Sequence, residues 1–177
     1  MRQRMFIIFG IAAVALIASS IALASTLTTT ATVTGAGALA LNMPSNPSIS
    51  TTLDGSDQTA NYSPLLGLVD ARGTGAGWNL TMSATTFSDG ASHTLAPGTV
   101  TSATQGCHSG STCTAATNSV SGYPLTLSGT AVKVFNAATN TGLGKVDVTP
   151  TVQVAIPGNA YAGTYTSTVT VSAVAGP

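Results

Sequence analysis

Residues 65–84, LLGLVDARGTGAGWNLTMSA, decide the fold of this chain. The run 65–70 is almost continuously apolar, which is typical of a buried strand. From Trp78 onward, apolar residues alternate with polar ones as far as Ala84, and this pattern predicts a half-buried strand. Between the two runs, residues 72–77 hold three glycines at alternate positions, which favour a bend or a bulge. The stretch therefore predicts two strands separated by a glycine-rich bend.

The same two-residue period continues toward the C-terminus. Residues 146–156 alternate cleanly, although Pro150 requires a sheet edge or a bulge. Residues 161–174 are predicted to form the last strand. Residues 124–128 and 130–135 are predicted to form a hairpin. Because eight or more short strands follow one another and no helical periodicity appears after residue 24, the fold class is all-β. We expect an antiparallel β-sandwich or split barrel, immunoglobulin-like or related, preceded by a signal-peptide helix.

Composition excludes several classes of protein. Charged residues make up 6% of the chain, against about 25% in an average globular domain. The chain has 30 threonines and no glutamate, which argues against a helical bundle. No basic patch is available for nucleic acid. With 44% hydrophobic residues, the chain is not a disordered acidic tail.

The N-terminal segment predicts export. Arg2 and Arg4 precede an apolar run over residues 6–23, and Ala22-Leu23-Ala24 is a small-x-small cleavage site. This is the layout of a secretory signal peptide, residues 1–24. Cleavage leaves one domain, residues 25–177, with no membrane segment. The alternative is a retained anchor, since an 18-residue run just spans a bilayer.

The two cysteines agree with export. Cys107 and Cys113 are close in sequence, and in an oxidising compartment such a pair predicts a disulfide. The alternative is a metal site made by both cysteines and His108. A structural zinc site needs four ligands, and His93 is the only other histidine.

No constellation of residues predicts catalysis. The chain lacks a Gly-x-Ser-x-Gly motif, and its only acids are five aspartates. Asp54 and Asp57 share a loop and are interpreted as turn formers, with calcium binding as the alternative. Asp70 and Arg72 are expected to form a weak surface ion pair. We therefore predict no enzyme activity, no cofactor and no metal.

Two segments resemble one known family. Residues 68–90, LVDARGTGAGWNLTMSATTFSDG, resemble the proximal motif of the WxL domain of bacterial cell-surface proteins, with Trp78-Asn79-Leu80 as the Trp-x-Leu. Residues 165–177, YTSTVTVSAVAGP, resemble the distal motif. There Tyr165, Thr170 and Pro177 match, whereas Val169, Val171 and Ala173 replace a leucine, the second tryptophan and the second leucine.

The resemblance implies a secreted module that is associated non-covalently with the cell wall. Its implied ligand is peptidoglycan, and other surface proteins are implied partners. The residues carried over as the wall-binding set are Trp78, Leu80, Tyr165, Val169, Val171 and Pro177. In a strand, Trp78 and Leu80 project from one face. That face is either the sandwich core or an exposed platform beside Tyr165 for sugar rings.

A second function stays open beside wall binding. The segment 25–34, STLTTTATVT, is uncharged and threonine-rich. It is either the first strand of its own domain or a strand that adds to the sheet edge of a neighbour. The latter predicts self-association into an extracellular fibre or surface layer.

Overall fold

The computed structural model describes residues 29–35 and 37–177, so the predicted signal peptide lies outside the described residues. Residues 29–32 are exposed and belong to no strand. From Val33 to Pro177 the chain forms one compact unit. In these ranges it has eleven strands and no helix, and hence no helix that could cross a membrane. The strands are β1 Leu39–Asn42, β2 Gln58–Tyr62, β3 Leu66–Asp70, β4 Trp78–Ala84, β5 Phe87–Ser88, β6 Thr94–Leu95, β7 Thr99–Cys107, β8 Leu125–Thr126, β9 Val132–Ala137, β10 Gly144–Ile156 and β11 Val169–Ala175.

The strands form two main sheets and a small hairpin. The larger sheet has the order β1-β3-β10-β7-β8, with β2 also pairing with β10. The smaller sheet has the order β11-β4-β9, and β5 pairs with β6. Every pairing is antiparallel. The predicted antiparallel all-β fold is confirmed, and it has the layers of a β-sandwich.

The core lies between the two main sheets and follows the two-residue period of their strands. In β4, alternate side chains from Trp78 to Ala84 are buried. From the other sheet, β3 contributes Leu66 and Leu68, and β10 contributes three valines. Burial of each large apolar side chain stabilises the fold by about 1.5–3 kcal/mol. The fully buried large side chains are Trp78, Leu66, Leu68, Leu80, Met82, Leu127, Val100, Val134, Val146, Val148, Val152 and Val154.

Pro150 lies at an interruption in the longest strand. On one side of β10, β3 pairs with residues 144–148 and β2 with residues 152–156, so Pro150 is opposite the gap between them. On the other side, the register with β7 shifts between Thr151 and Val152. Proline has no N–H to donate to a ladder, and the break tolerates it. Of the two predicted alternatives, an edge or a bulge, the structure has a bulge close to Pro150, and its extra residue, Thr101, lies on β7.

Two of the predicted strand assignments are wrong. Residues 124–128 and 130–135 do not form a hairpin, because β8 pairs with β7 in the larger sheet and β9 pairs with β4 in the smaller one. The C-terminal strand starts at Val169, not at residue 161. Before it, Thr166 makes only an isolated bridge to Ser88. Of the threonine-rich segment 25–34, residues 29–34 are described and belong to no strand.

The two cysteines are bonded to each other. Cys107 ends β7, and its Cα lies 5.5 Å from that of Cys113. Cys113 also forms an isolated bridge to Gly144 at the start of β10. Because both sulfur atoms are used in the disulfide, they are not thiolate ligands, and the alternative of a metal site at Cys107, His108 and Cys113 is not realised.

Candidate functional site

Trp78 lies in the core and not on the surface. Its side chain has no exposed area. Its indole N–H donates a hydrogen bond of 2.9 Å to the carbonyl oxygen of Gly142. Its ring packs on Phe135 of β9, with ring centroids 6.0 Å apart. Leu80, two residues along, is also fully buried. The face that carries Trp78 and Leu80 is therefore the sandwich core, not an exposed platform for a ligand.

The Trp78 indole leaves no room for a side chain at position 142, which is a glycine. Its φ is +69°, a conformation that favours glycine. A Cβ at this position would lie 2.6 Å from the Trp78 Nε1 atom and 2.5 Å from the Ala137 Cβ. Any side chain at position 142 would therefore collide with the tryptophan pocket.

The segment between Asp70 and Trp78 carries the chain from one sheet to the other. Asp70 ends β3 in the larger sheet, and Trp78 begins β4 in the smaller one. Both carboxylate oxygens of Asp70 accept hydrogen bonds of 2.8 Å from Arg72. Arg72 also donates to the carbonyl oxygen of Gly77 at 2.7 Å. The arginine thus holds both ends of the glycine-rich crossover together.

This pair is buried, which corrects the expectation of a surface ion pair. The Asp70 side chain has no exposed area, and that of Arg72 is 12% exposed. The hydrogen bonds from Arg72 lower the pKa of the Asp70 carboxyl, and Asp70 in turn raises the pKa of the guanidinium. A two-pronged guanidinium–carboxylate pair is both strong and directional. Through Arg72 it joins the end of β3 to Gly77, the residue before Trp78.

Replacing Asp70 by asparagine is expected to lower the free energy of unfolding by about 1.5–3 kcal/mol at pH 7, the contribution of hydrogen bonds to charged groups. The native pKa of Asp70 is depressed. The stability due to the pair is therefore fully present above the unfolded pKa of about 3.9 and is lost as the pH falls through the native pKa. Denaturant unfolding of both proteins from pH 7 to pH 2 should show their difference shrinking on acidification. A difference that stays constant over that range would contradict the assignment.

The residues carried over as the wall-binding set do not form one site. Trp78 and Leu80 are in the core. Val169 and Val171 lie on β11, opposite Ala84 and Met82, and their half-buried side chains pack against the core. Pro177 is exposed at the C-terminus, and Tyr165 lies before β11 in a separate cleft.

The cleft at Tyr165 is formed by segments that are distant in sequence. Residues 93–95 of the β5–β6 hairpin form one wall, and the turn that follows β10 together with the approach to β11 forms the other. Its volume is about 220 Å³. The lining residues are His93, Thr94, Leu95, Pro157, Asn159, Ala160, Tyr161 and Tyr165.

Three aromatic rings line the cleft, those of His93, Tyr161 and Tyr165. The rings of His93 and Tyr161 are stacked, with centroids 3.9 Å apart and planes 20° apart. The hydroxyl of Tyr165 donates a 2.9 Å hydrogen bond to the carbonyl oxygen of Tyr161. Tyr161 is 65% exposed, which is unusual for so large a side chain. The cleft therefore presents an aromatic surface to solvent.

Asp89 fixes the histidine in this stack. Its Oδ2 atom lies 2.6 Å from Nδ1 of His93, while Oδ1 accepts hydrogen bonds from the backbone N–H groups of Ala91 and His93. These bonds, first that from Ala91 and then that from the His93 ring, lower the pKa of Asp89. The carboxylate therefore stays ionised and keeps the imidazole in place beneath Tyr161.

Sequence reasoning found Tyr165 but missed His93 and Tyr161. The available signal was the pair of tyrosines, Tyr161 and Tyr165, directly after the turn at residues 157–159. The predicted strand over residues 161–174 includes both tyrosines, and this assignment hides the cleft.

A second groove, of about 290 Å³, lies on the outer face of the larger sheet. Met43 and Leu65 are its most exposed apolar residues, each with 53% of its area accessible. His108 pairs there with Asp147, at 3.0 Å, and Lys145 lies beside them. In the described part of the chain, no tyrosine or tryptophan lines this groove.

Asp54 caps a local turn, as predicted, whereas Asp57 contacts a loop that is distant in sequence. Hydrogen bonds from the Ser56 hydroxyl and N–H lower the pKa of Asp54 to about 2. Asp57 accepts a 2.8 Å hydrogen bond from the N–H of Gly158. Within residues 29–35 and 37–177, no three histidine, cysteine or acidic side chains are grouped to hold a metal ion.

Comparison with protein families identifies the family of this chain. The model of the family described as "WxL domain surface cell wall-binding" matches residues 20–175. No curated protein and no solved structure matches the chain. The matched range contains residues 68–90 and all but the last two of residues 165–177, and the match confirms the resemblance to the family.

Proposed function

The chain belongs to the WxL domain family of surface cell wall-binding domains, and from this premise we propose that it binds peptidoglycan directly and non-covalently. The family places the protein outside the cell, in association with the cell wall. To family membership and location, we add that the ligand is peptidoglycan and that no covalent bond forms with it. The observation that carries it is the family match over residues 20–175.

The fold supports separate roles for the buried and the exposed residues of the carried-over set. The Trp-x-Leu residues are buried and position the strands. Contact with the wall is therefore assigned to exposed or half-buried groups. Of the carried-over set, these are Tyr165, Pro177 and the β11 residues Val169 and Val171. The sparse charge of the chain, 6% of its residues, makes such binding depend on shape, apolar contact and hydrogen bonds.

The test is sedimentation of the purified protein with insoluble, protein-free peptidoglycan. We expect the protein in the pellet at both 0.1 M and 1 M salt, since charge pairs contribute little and salt screens only those. Albumin in place of the protein is the control for trapping. A protein that stays in the supernatant at low salt would refute direct peptidoglycan binding.

A second candidate function is self-assembly by strand addition through residues 25–34. It is favoured by one observation: the described part of this segment, residues 29–34, is exposed and in no strand, with Val33 93% accessible. β11 is an edge strand, which is the type of acceptor that strand addition uses. Light scattering on the same preparation separates the two functions. A molar mass that grows with protein concentration supports assembly, and a constant monomer mass excludes it.

A further inference from the structure

The aromatic cleft has the features of a binding site for a small ligand. Its flat surface is made by the stacked rings of His93 and Tyr161, and the Asp89 carboxylate and the Tyr165 hydroxyl hold that surface in position. A tyrosine in solvent usually turns its ring onto apolar surface. Here Tyr161 is 65% exposed although it is stacked on His93. The site is preorganised, so little ordering is required of the protein when a ligand binds.

We propose that this cleft binds one uncharged pyranose ring of a glycan chain, with the apolar C–H face of the sugar on the Tyr161 ring. The inference rests on the proposed wall binding and names its contact point. Asn159 and Thr94 also line the cleft, and an amide and a hydroxyl are groups that can donate to and accept from sugar hydroxyls. Apolar walls with a few polar groups are typical of small-molecule sites.

The size of the cleft limits the ligand to one ring at a time. At about 220 Å³ it is smaller than the 300–1,000 Å³ typical of pockets for drug-sized molecules. The sugar units on either side would extend into solvent. A single shallow subsite of this kind gives weak affinity for a short oligosaccharide. On the wall, many identical glycan units raise the chance of binding and rebinding.

The charge of the cleft selects a neutral sugar. Its two ionisable partners, Asp89 and His93, are engaged with each other. Among the residues that the structure describes, no lysine or arginine lines the cleft, so a carboxylate on the sugar would find no cation there. N-acetylglucosamine, a neutral pyranose of wall glycans, fits this requirement better than a sugar that bears a free carboxylate.

The test is titration of the purified protein with a soluble tetramer of N-acetylglucosamine, followed by NMR of the aromatic rings. We expect the His93 and Tyr161 ring signals to shift. Tyr161→Ala should weaken binding at least tenfold. Tyr165→Phe, which keeps the ring but removes the hydroxyl that positions residue 161, should weaken it less. Leu65→Ala is the control, because it removes an apolar side chain that is also more than half exposed, from the other groove. All three variants should melt within a few degrees of the wild type, since the changed groups are not in the core.

The outcomes separate this inference from the proposed function. If Tyr161→Ala binds the tetramer as the wild type does, or the wild type does not bind it, the cleft proposal is wrong. If Tyr161→Ala and the wild type sediment equally with peptidoglycan, the protein binds the wall, but not through the cleft. If the tetramer binds at the cleft but the protein does not sediment with peptidoglycan, the sugar site stands and the proposed wall ligand fails.

Discussion

Replacing Trp78 by alanine is expected to lower the free energy of unfolding by about 3–5 kcal/mol, the usual cost of truncating a large buried aromatic residue. The indole is fully buried between the sheets and packs on Phe135. Its removal leaves a cavity, and it also leaves the carbonyl oxygen of Gly142 without its donor. Because a domain of this size has about 5–15 kcal/mol of net stability, the variant should unfold at markedly lower urea concentration.

Two controls identify the physical cause. Trp78→Phe keeps an aromatic ring but loses the indole N–H, and it should fall between alanine and the wild type. At a temperature where Trp78→Ala is still folded, its sedimentation with peptidoglycan should equal that of the wild type, because the indole does not reach the surface. An alanine variant with wild-type stability, or one that is stable but no longer binds, would contradict a core role for Trp78.

The sequence predicts the strands well because they follow a simple rule. In β4 and β10, alternate residues face the core, so the two-residue period predicts which side chains are buried. The period does not say which strand pairs with which. The chain after β8 leaves for the other sheet, and the predicted hairpin between residues 124–128 and 130–135 failed for that reason. Partner choice depends on the packing of the whole domain.

The buried ion pair shows how tertiary structure overrides a local expectation. Two charged residues near each other in a glycine-rich segment are usually exposed. Here Asp70 is enclosed because the chain crosses between the sheets immediately after it, and Arg72 bends back to contact Gly77. Gly73, Gly75 and Gly77 allow this path with φ near +70°. The glycine spacing predicted a bend, but not that the bend would bury a charge.

The location of the aromatic cleft is the feature that the sequence predicts least well. His93 and Tyr161 are 68 positions apart in the chain and follow no common period. They meet because Ser88 and Thr166 exchange backbone hydrogen bonds of 2.9 Å, which place the β5–β6 hairpin beside the approach to β11. Sites that are assembled from loops in this way need the fold before they can be located.

Deleting residues 164–177 is expected to abolish cooperative folding. The deletion removes β11, which pairs with β4 from Val169 opposite Ala84 to Ala175 opposite Trp78. It also removes the carbonyl of Gly176, which accepts a 2.7 Å hydrogen bond from the Asn79 amide. The smaller sheet would then consist of β4 and β9 alone, and an isolated two-stranded sheet is marginal at best. Thermal unfolding by circular dichroism should show no sigmoidal transition.

The physical reason is that β11 covers the most important strand of the core. Without it, β4 loses its ladder hydrogen bonds to β11, and the core loses the apolar side chains of β11 that pack against it. Val174→Ser is the matched control, because this side chain is 54% exposed and such surface changes usually alter stability by less than about 0.5 kcal/mol. If the chain ending at Gly163 melts cooperatively near the wild-type temperature, then β11 is dispensable, and the distal half of the family motif has no structural role in this domain.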